Sequence, residues 1–244
     1  MVVDIPMRLS SIAAIPLLLA ASSASADLFQ CDNTAPHRLT ANVAGASRIV
    51  VVGKAGTLRV RGANQSDVTA SGTACSSDRD FLERMRIEAR REGSDVVVEA
   101  IIPEKTVVFG FHAAKLDLEV VVPAHLPVSV KDGSGSIDIR GVASVEVRDG
   151  SGEIEIRDVR GDVEVRDGSG SIVVAQVDGS VRISDGSGGI EVRDVRRDVI
   201  VENDGSGGID VIDVRGDFIV ESDGSGGIDY ENVAGTVRIP KKKR

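Results

Sequence analysis

From residue 132 onward, the apolar positions of the chain follow one template. Each copy opens on Asp-Gly-Ser-Gly, which begins at residues 132, 149, 167, 185, 204 and 223, so the spacing is 17 to 19 residues. Behind it the first copy carries Ile137, Ile139, Val142, Val145 and Val147, and the second Ile154, Ile156, Val159, Val163 and Val165. The same five positions recur through to the last copy, Ile228, Tyr230, Val233, Val237 and Ile239. Apolar residues two apart lie on one face of a strand, and β-branched side chains suit that pleated surface. Each copy therefore predicts two short strands. Segments such as Asp158-Val159-Arg160-Gly161-Asp162 read as one turn and Asp-Gly-Ser-Gly as the other. Glycine supplies positive φ in such turns, and Asp or Ser caps nearby amides.

A single copy cannot stand alone. Fixing its backbone costs roughly 1–2 kcal/mol per residue, more than five buried apolar side chains offset. Stacked copies share one core and hydrogen-bond to the coils above and below, which is how repeat proteins are stabilised. The predicted fold is all-β, a β-solenoid of about six two-strand coils over residues 132–240. At a strand spacing of about 4.8 Å, six coils make a segment roughly 29 Å long. A twelve-stranded meander is the alternative, but it would not require the same five positions in every copy.

Residues 27–131 lack the repeat yet contain strand patterns at Arg48 to Val52, Thr57 to Arg61, Asp95 to Ile102 and Lys115 to Val122. This β-rich region is expected to cap the solenoid, because an open stack presents unpaired backbone groups. Ser77-Asp78-Arg79-Asp80 followed by Phe81, Leu82 and Met85 predicts one short helix near 78–84.

Ahead of these elements, Met7-Arg8 precedes the apolar run from Ile12 to Ala21, and Ala24-Ser25-Ala26 follows. That is the order of a secretory signal peptide, predicting cleavage after Ala26 and export to the periplasm or cell surface. The run is too short to span a bilayer, which takes about 20 apolar residues, so no transmembrane segment is expected after cleavage. Gln30 beside Cys31 argues against lipid anchoring. In an exported chain Cys31 and Cys75 are expected to pair, and closing a loop of this length stabilises the fold by roughly 4 kcal/mol in the chain-entropy model. A redox or metal-binding thiol pair would call for C-x-x-C spacing.

The net charge is −9, the wrong sign for nucleic acid. Removal of residues 1–26 takes one acid and one base, Asp4 and Arg8, and leaves it unchanged. Lys241-Lys242-Lys243-Arg244 forms a basic tail, read as solvated, with contact to anionic lipid or glycan as the alternative.

The exported chain, its two cysteines and the repeated G-S-G-x-I-x-V-x-x-V-x-G-D-V-x-V pattern resemble the bacterial putative-adhesin family of unknown function with β-strand repeats. The resemblance covers most of residues 27–244. It implies a β-solenoid outside the cytoplasm and brings no catalytic residues with it.

An enzyme is not expected. His37, His112 and His125 lie outside the repeats, and no H-E-x-x-H, G-x-S-x-G or P-loop pattern occurs. The Asp-Gly-Ser-Gly serines recur six times, whereas a nucleophile is needed once and beside a base. With no Trp and one Tyr, the aromatic platforms common at sugar-cleaving sites are lacking, which leaves a glycan-cleaving β-helix enzyme a distant third reading. No cofactor is expected. One metal is considered: Asp132, Asp149, Asp167, Asp185, Asp204 and Asp223 should stack as a ladder, and neighbouring carboxylates repel unless hydrogen-bonded or sharing a cation. Calcium is the candidate, as in β-rolls of similar period; backbone capping by these Asp residues is the simpler account. Arg160-Gly161-Asp162 and Arg215-Gly216-Asp217 are read as turns. Ile200 and Ile219 form an outward apolar patch, expected to lie under the N-terminal region or a partner. The sequence thus points to an adhesin-like binding or scaffolding module of the cell envelope, with a calcium-dependent module as the alternative. An envelope glycan or protein is the class of partner.

Overall fold

In the computed structural model, which describes residues 31–103 and 114–241, the repeats wind into six coils. The segment 1–26, His112 and residues 242–244 of the basic tail lie outside the described residues. The N-terminal part contributes β1 (Asn33–Asn42), β2 (Arg48–Val52), β3 (Leu58–Ala63), β4 (Asp67–Ser76), helix α1 (Arg79–Leu82), β5 (Arg86–Glu92), β6 (Asp95–Ile101), β7 (Ala114–Pro123) and β8 (Val128–Lys131). The coils follow as β9 (Ile137–Arg140) with β10 (Val145–Arg148), β11 (Ile154–Val159) with β12 (Val163–Asp167), and β13 (Ile172–Val177) with β14 (Val181–Asp185). Then come β15 (Ile190–Val195) with β16 (Val199–Asp204), β17 (Ile209–Val214) with β18 (Phe218–Val220), and β19 (Ile228–Val233) with β20 (Val237–Arg238).

Two ten-stranded sheets face one another, in the orders β1-β4-β7-β3-β9-β11-β13-β15-β17-β19 and β20-β18-β16-β14-β12-β10-β8-β2-β6-β5. Pairing is parallel and puts like on like: Ile154 beside Ile172, Ile172 beside Ile190, Ile190 beside Ile209. The template residues of the first five coils are buried and form one continuous core with those of the N-terminal strands. A one-residue slip would turn every Ile and Val outward, so burial itself fixes the register.

The gap of three between Ile156 and Val159 breaks the two-residue period of a strand. Asp158 absorbs the extra residue with φ 57, and Gln176, Asp194, Asp213 and Asn232 do the same at φ 55 to 60 in later coils. Each left-handed residue bends its strand so that the following Val still points inward. In the opposite turn Gly135, Gly152, Gly170, Gly188, Gly207 and Gly226 hold φ of 127 to 156. A Cβ on Gly188 would overlap the carbonyl oxygen of Gly170. Glycine is needed there for both conformation and space.

The N-terminal strands continue both sheets. β2 pairs parallel with β8 and β6, and β3 with β9 and β7; only β1, β4 and β5 turn antiparallel at the end of the stack. Asp78 caps α1 by accepting a hydrogen bond from the Phe81 amide at 3.0 Å, and Phe81, Leu82 and Met85 are buried, as the sequence predicts. Cys31 and Cys75 form a disulfide, with Cα atoms 5.5 Å apart.

Two expectations are corrected. The Ile200–Ile219 pair sits in the sheet made by β16 and β18, with β14, β12 and β10 between it and β8, so the N-terminal region does not cover it. Tyr230, placed on the core template, is 48% exposed because no described coil stacks on β19; its ring lies 6.0 Å from that of Phe218.

Candidate functional site

The left-handed corner builds a surface feature. Because each corner Val points inward, the residues on either side of it point out and form two columns along the solenoid. One column is Asp158, Gln176, Asp194, Asp213 and Asn232; the other is Arg160, Asp178, Arg196, Arg215 and Ala234. They wall an open groove of about 750 Å3. Its floor is the backbone and the edges of Val159, Val195 and Val214. Side chains within it are already partly engaged. Arg196 pairs with Asp178 at 3.0 Å, the Asn232 amide donates to Asp213 at 3.0 Å, and the Arg160 guanidinium donates to the carbonyl of Ala124. One wall thus carries the guanidinium groups of Arg160, Arg196 and Arg215, interrupted by Asp178 and ending at Ala234, and the other carries carboxylates and amides, with successive positions at the coil spacing of about 4.8 Å. The five non-glycine residues held at positive φ carry a local strain of order 1–2 kcal/mol each, less for Asp and Asn.

The predicted Asp ladder is also assembled, but on the inside. Asp167, Asp185 and Asp204 end their strands facing inward, with 8%, 1% and 1% exposure, while Asp132, Asp149 and Asp223 are partly buried. Local caps exist: the Gly150 amide donates to Asp149 Oδ1 at 2.7 Å, and the Ser187 amide to Asp185 Oδ1 at 3.3 Å. Both carboxylate oxygens of Asp167 and Asp204, and Oδ2 of Asp132, Asp149 and Asp185, have no protein hydrogen-bond partner. Burial pushes Asp132, Asp149, Asp167, Asp185 and Asp204 upward from the usual carboxylate range, to about 7 for Asp132 and about 6 for Asp167 and Asp204. Neighbouring charges add to the rise: Asp149 and Asp185 act on Asp167, and Asp185 and Asp223 on Asp204. Turn amides partly oppose it. At the N-terminal end of the column stands Gly53, where a side chain would collide with the Asp132 carboxylate.

Calcium takes six to eight oxygens around one point. The ladder instead lines up one carboxylate per coil, and no group of three or more His, Cys, Asp or Glu able to hold a metal ion is found among the described residues. Its orphaned oxygens are nonetheless the feature a cation or a proton would satisfy.

The Arg-Gly-Asp carboxylates have a structural role: Asp162 accepts from the Ser180 amide and Asp217 from the Thr236 amide, each one coil onward, at 2.8 and 2.7 Å. His37 lies on β1 and His125 in the connection between β7 and β8, and neither meets the Asp ladder or the groove. The groove was not singled out from the sequence. Its signal was the x-x gap in the template, which puts two outward residues around every corner Val.

No protein-family model matches the chain, and neither does any curated protein sequence. Solved structures of similar fold include a putative cell adhesion protein from Clostridium sporogenes, 11% identical, covering 85% of this chain and 99% of that one with a TM-score of 0.39. A putative lipid binding protein from Parabacteroides distasonis is 14% identical, with coverage of 86% and 98% and a TM-score of 0.44. A putative adhesin from Bacteroides fragilis is 11% identical, with coverage of 85% and 97% and a TM-score of 0.37.

Proposed function

We propose that this chain is an exported, non-catalytic β-solenoid serving as an adhesin-like binding or scaffolding module of the cell envelope, with the corner groove as its binding face. The observation that carries this reading is the pair of outward columns, which set three guanidinium groups opposite carboxylates and amides along successive coils. A linear envelope glycan of similar repeat would meet polar groups at each coil pitch along the groove, and individually weak contacts would add. Neither column holds a Ser, Cys or His that could serve as a nucleophile or its base, and the polar walls suit hydroxyl-rich polymers better than an acyl chain. The disulfide and the signal-like N-terminal sequence support a place outside the cytoplasm.

The test is retardation of the protein in affinity gels cast with envelope polysaccharide fractions. At least one fraction should retard the wild type, and Arg196→Glu with Arg215→Glu should abolish the effect while leaving the thermal melt unchanged. Indifference of every fraction to the double change, or no retardation at all, would reject the groove as a glycan site and turn the search to envelope proteins.

A second reading, a calcium-dependent module, rests on the orphaned ladder oxygens. A ligand at a hundred times its dissociation constant adds about 2.7 kcal/mol to stability. Melting with EDTA and with millimolar calcium at pH 8 separates the two: a calcium-dependent rise supports the ion, and superimposable melts dismiss it.

A further inference from the structure

The two ends of the stack are unlike. At the N-terminal end β1 lies against β5, α1 packs on β1 and β4, and the disulfide ties the approach to β1 to β4. Both outermost strands are poor templates for another chain. β1 contains Pro36, which has no amide hydrogen to offer, and β5 carries Arg86, Glu88, Arg90, Arg91 and Glu92. These are devices by which natural sheets discourage edge pairing.

At the C-terminal end the protection is lighter: β20 is short and Pro240 and Lys241 follow it, but no helix, disulfide or antiparallel strand lies over β19 among the described residues. β19 pairs only with β17 and β20 only with β18 among the described residues, leaving the far edge of each strand unpaired. The template residues of this coil are buried in the coils before it, yet here Tyr230 is 48% and Ile239 43% exposed, and Ile228, Val233 and Val237 are half-buried. Among the described residues this coil presents an apolar face framed by two open strand edges.

Charge indicates what covers it. The outward face of β19 bears Asp229 and Glu231, whereas β20 and the residues after it bear Arg238 and Lys241. Stacking β19 on another β19 would oppose like charges. Turning a second copy about an axis parallel to the strands instead brings β19 against β20, carboxylates beside cations, at both edges. The two strands run in opposite directions around the coil, so each new pair is antiparallel, with the short β20 pairing over part of β19.

We propose that the C-terminal coil is the self-association surface of this chain, forming a closed two-fold dimer by reciprocal pairing of β19 with β20 and burial of Ile228, Tyr230 and Ile239. The contact is isologous and therefore stops at two copies, and the closed N-terminal end prevents head-to-tail growth into fibres. A rotation about an axis parallel to the strands keeps the corner on the same side. The grooves of the two copies then run end to end, doubling the length of the repeated surface.

Sedimentation equilibrium of the full chain tests the assignment, with Asp229→Lys/Glu231→Lys making both edges basic and Arg238→Glu/Lys241→Glu making both acidic. The wild type should show a concentration-dependent mass reaching two chains and weakening as salt rises. Each double variant alone should dissociate at least tenfold more readily, with its circular-dichroism melt recording that it is folded. Mixing the two in equal amounts should restore the dimer, because each acidic edge then meets a basic one. A single-chain mass at every concentration overturns the proposal and leaves the end to a different polypeptide. So does an open-ended polymer, or a dimer that charge reversal does not weaken.

Discussion

Replacing Asp204 with Asn removes one charge from the middle of the ladder while keeping the shape of the side chain. Asp204 is 1% exposed, and burial together with the Asp185 and Asp223 charges raises its carboxyl from 3.8 to about 6. The sign follows from linkage. A carboxyl whose folded value lies above its unfolded one contributes stability that is fully present below about pH 4 and is lost as pH rises through about 6. At 1.36 kcal/mol per unit, a rise of this size corresponds to about 3 kcal/mol, and solvent screening near the turn reduces that to about 1–2 kcal/mol. Asp204→Asn should therefore stabilise the fold at pH 8, raising the melting temperature by about 2–8 °C for a chain of this size. At pH 4, where the native carboxyl is already neutral, the two proteins should melt together. The assay is a set of thermal melts from pH 4 to 8 in EDTA, taken as the difference between variant and wild type so that surface ion pairs cancel. A difference that is flat with pH, or a variant less stable at pH 8, would refute the ladder as a column of destabilised carboxylates.

The paired glycines of the turn provide a sharper steric contrast. Gly188→Ala drives a Cβ into the Gly170 carbonyl and should cost more than about 4 kcal/mol or prevent folding, whereas Gly189→Ala meets nothing within 4 Å and should lie within about 0.5 kcal/mol of neutral or gain slightly; urea denaturation of both decides. Gln176→Gly should stabilise by about 1 kcal/mol, because Gln176 holds φ 59 without the tolerance of Asp, Asn or Gly at that conformation; an unchanged or lowered denaturation midpoint would show that the corner carries no strain. Cys75→Ala should lower stability by about 2–4 kcal/mol, seen as an earlier melt, while the circular-dichroism spectrum of the folded coils persists.

The coils were legible in the sequence because burial on an in-register stack leaves a chemical record. Every Ile and Val of the template had to be apolar in every copy. The edge strands left none. β1 reads Asn-Thr-Ala-Pro-His-Arg-Leu-Thr-Ala-Asn and is only half-buried along one face, and β5 is mostly charged, so neither carries a strong two-residue pattern. By its spacing Val159 reads as part of a turn, yet it completes β11, since one left-handed residue preserves pairing across what looks like a break. The Asp ladder was foreseen as a column along one edge; that it points inward follows from its place two residues after a core Val, as with Val165 and Asp167. The groove depends on a bend whose only trace is a spacing.

The direction of the hydrogen bonds also governs how the molecule bears a load. They run along the solenoid axis, so a pull on the two ends places the junctions between coils in series, each in tension, and the weakest yields first. The last junction holds the fewest: β17 and β19 share five paired positions, as β15 and β17 do, but β18 and β20 share only two, Phe218 with Val237 and Ile219 with Arg238, where β16 and β18 share three. Under tension the stack would open from its C-terminal coil inward, one turn at a time, while the disulfide-tied N-terminal end stayed intact.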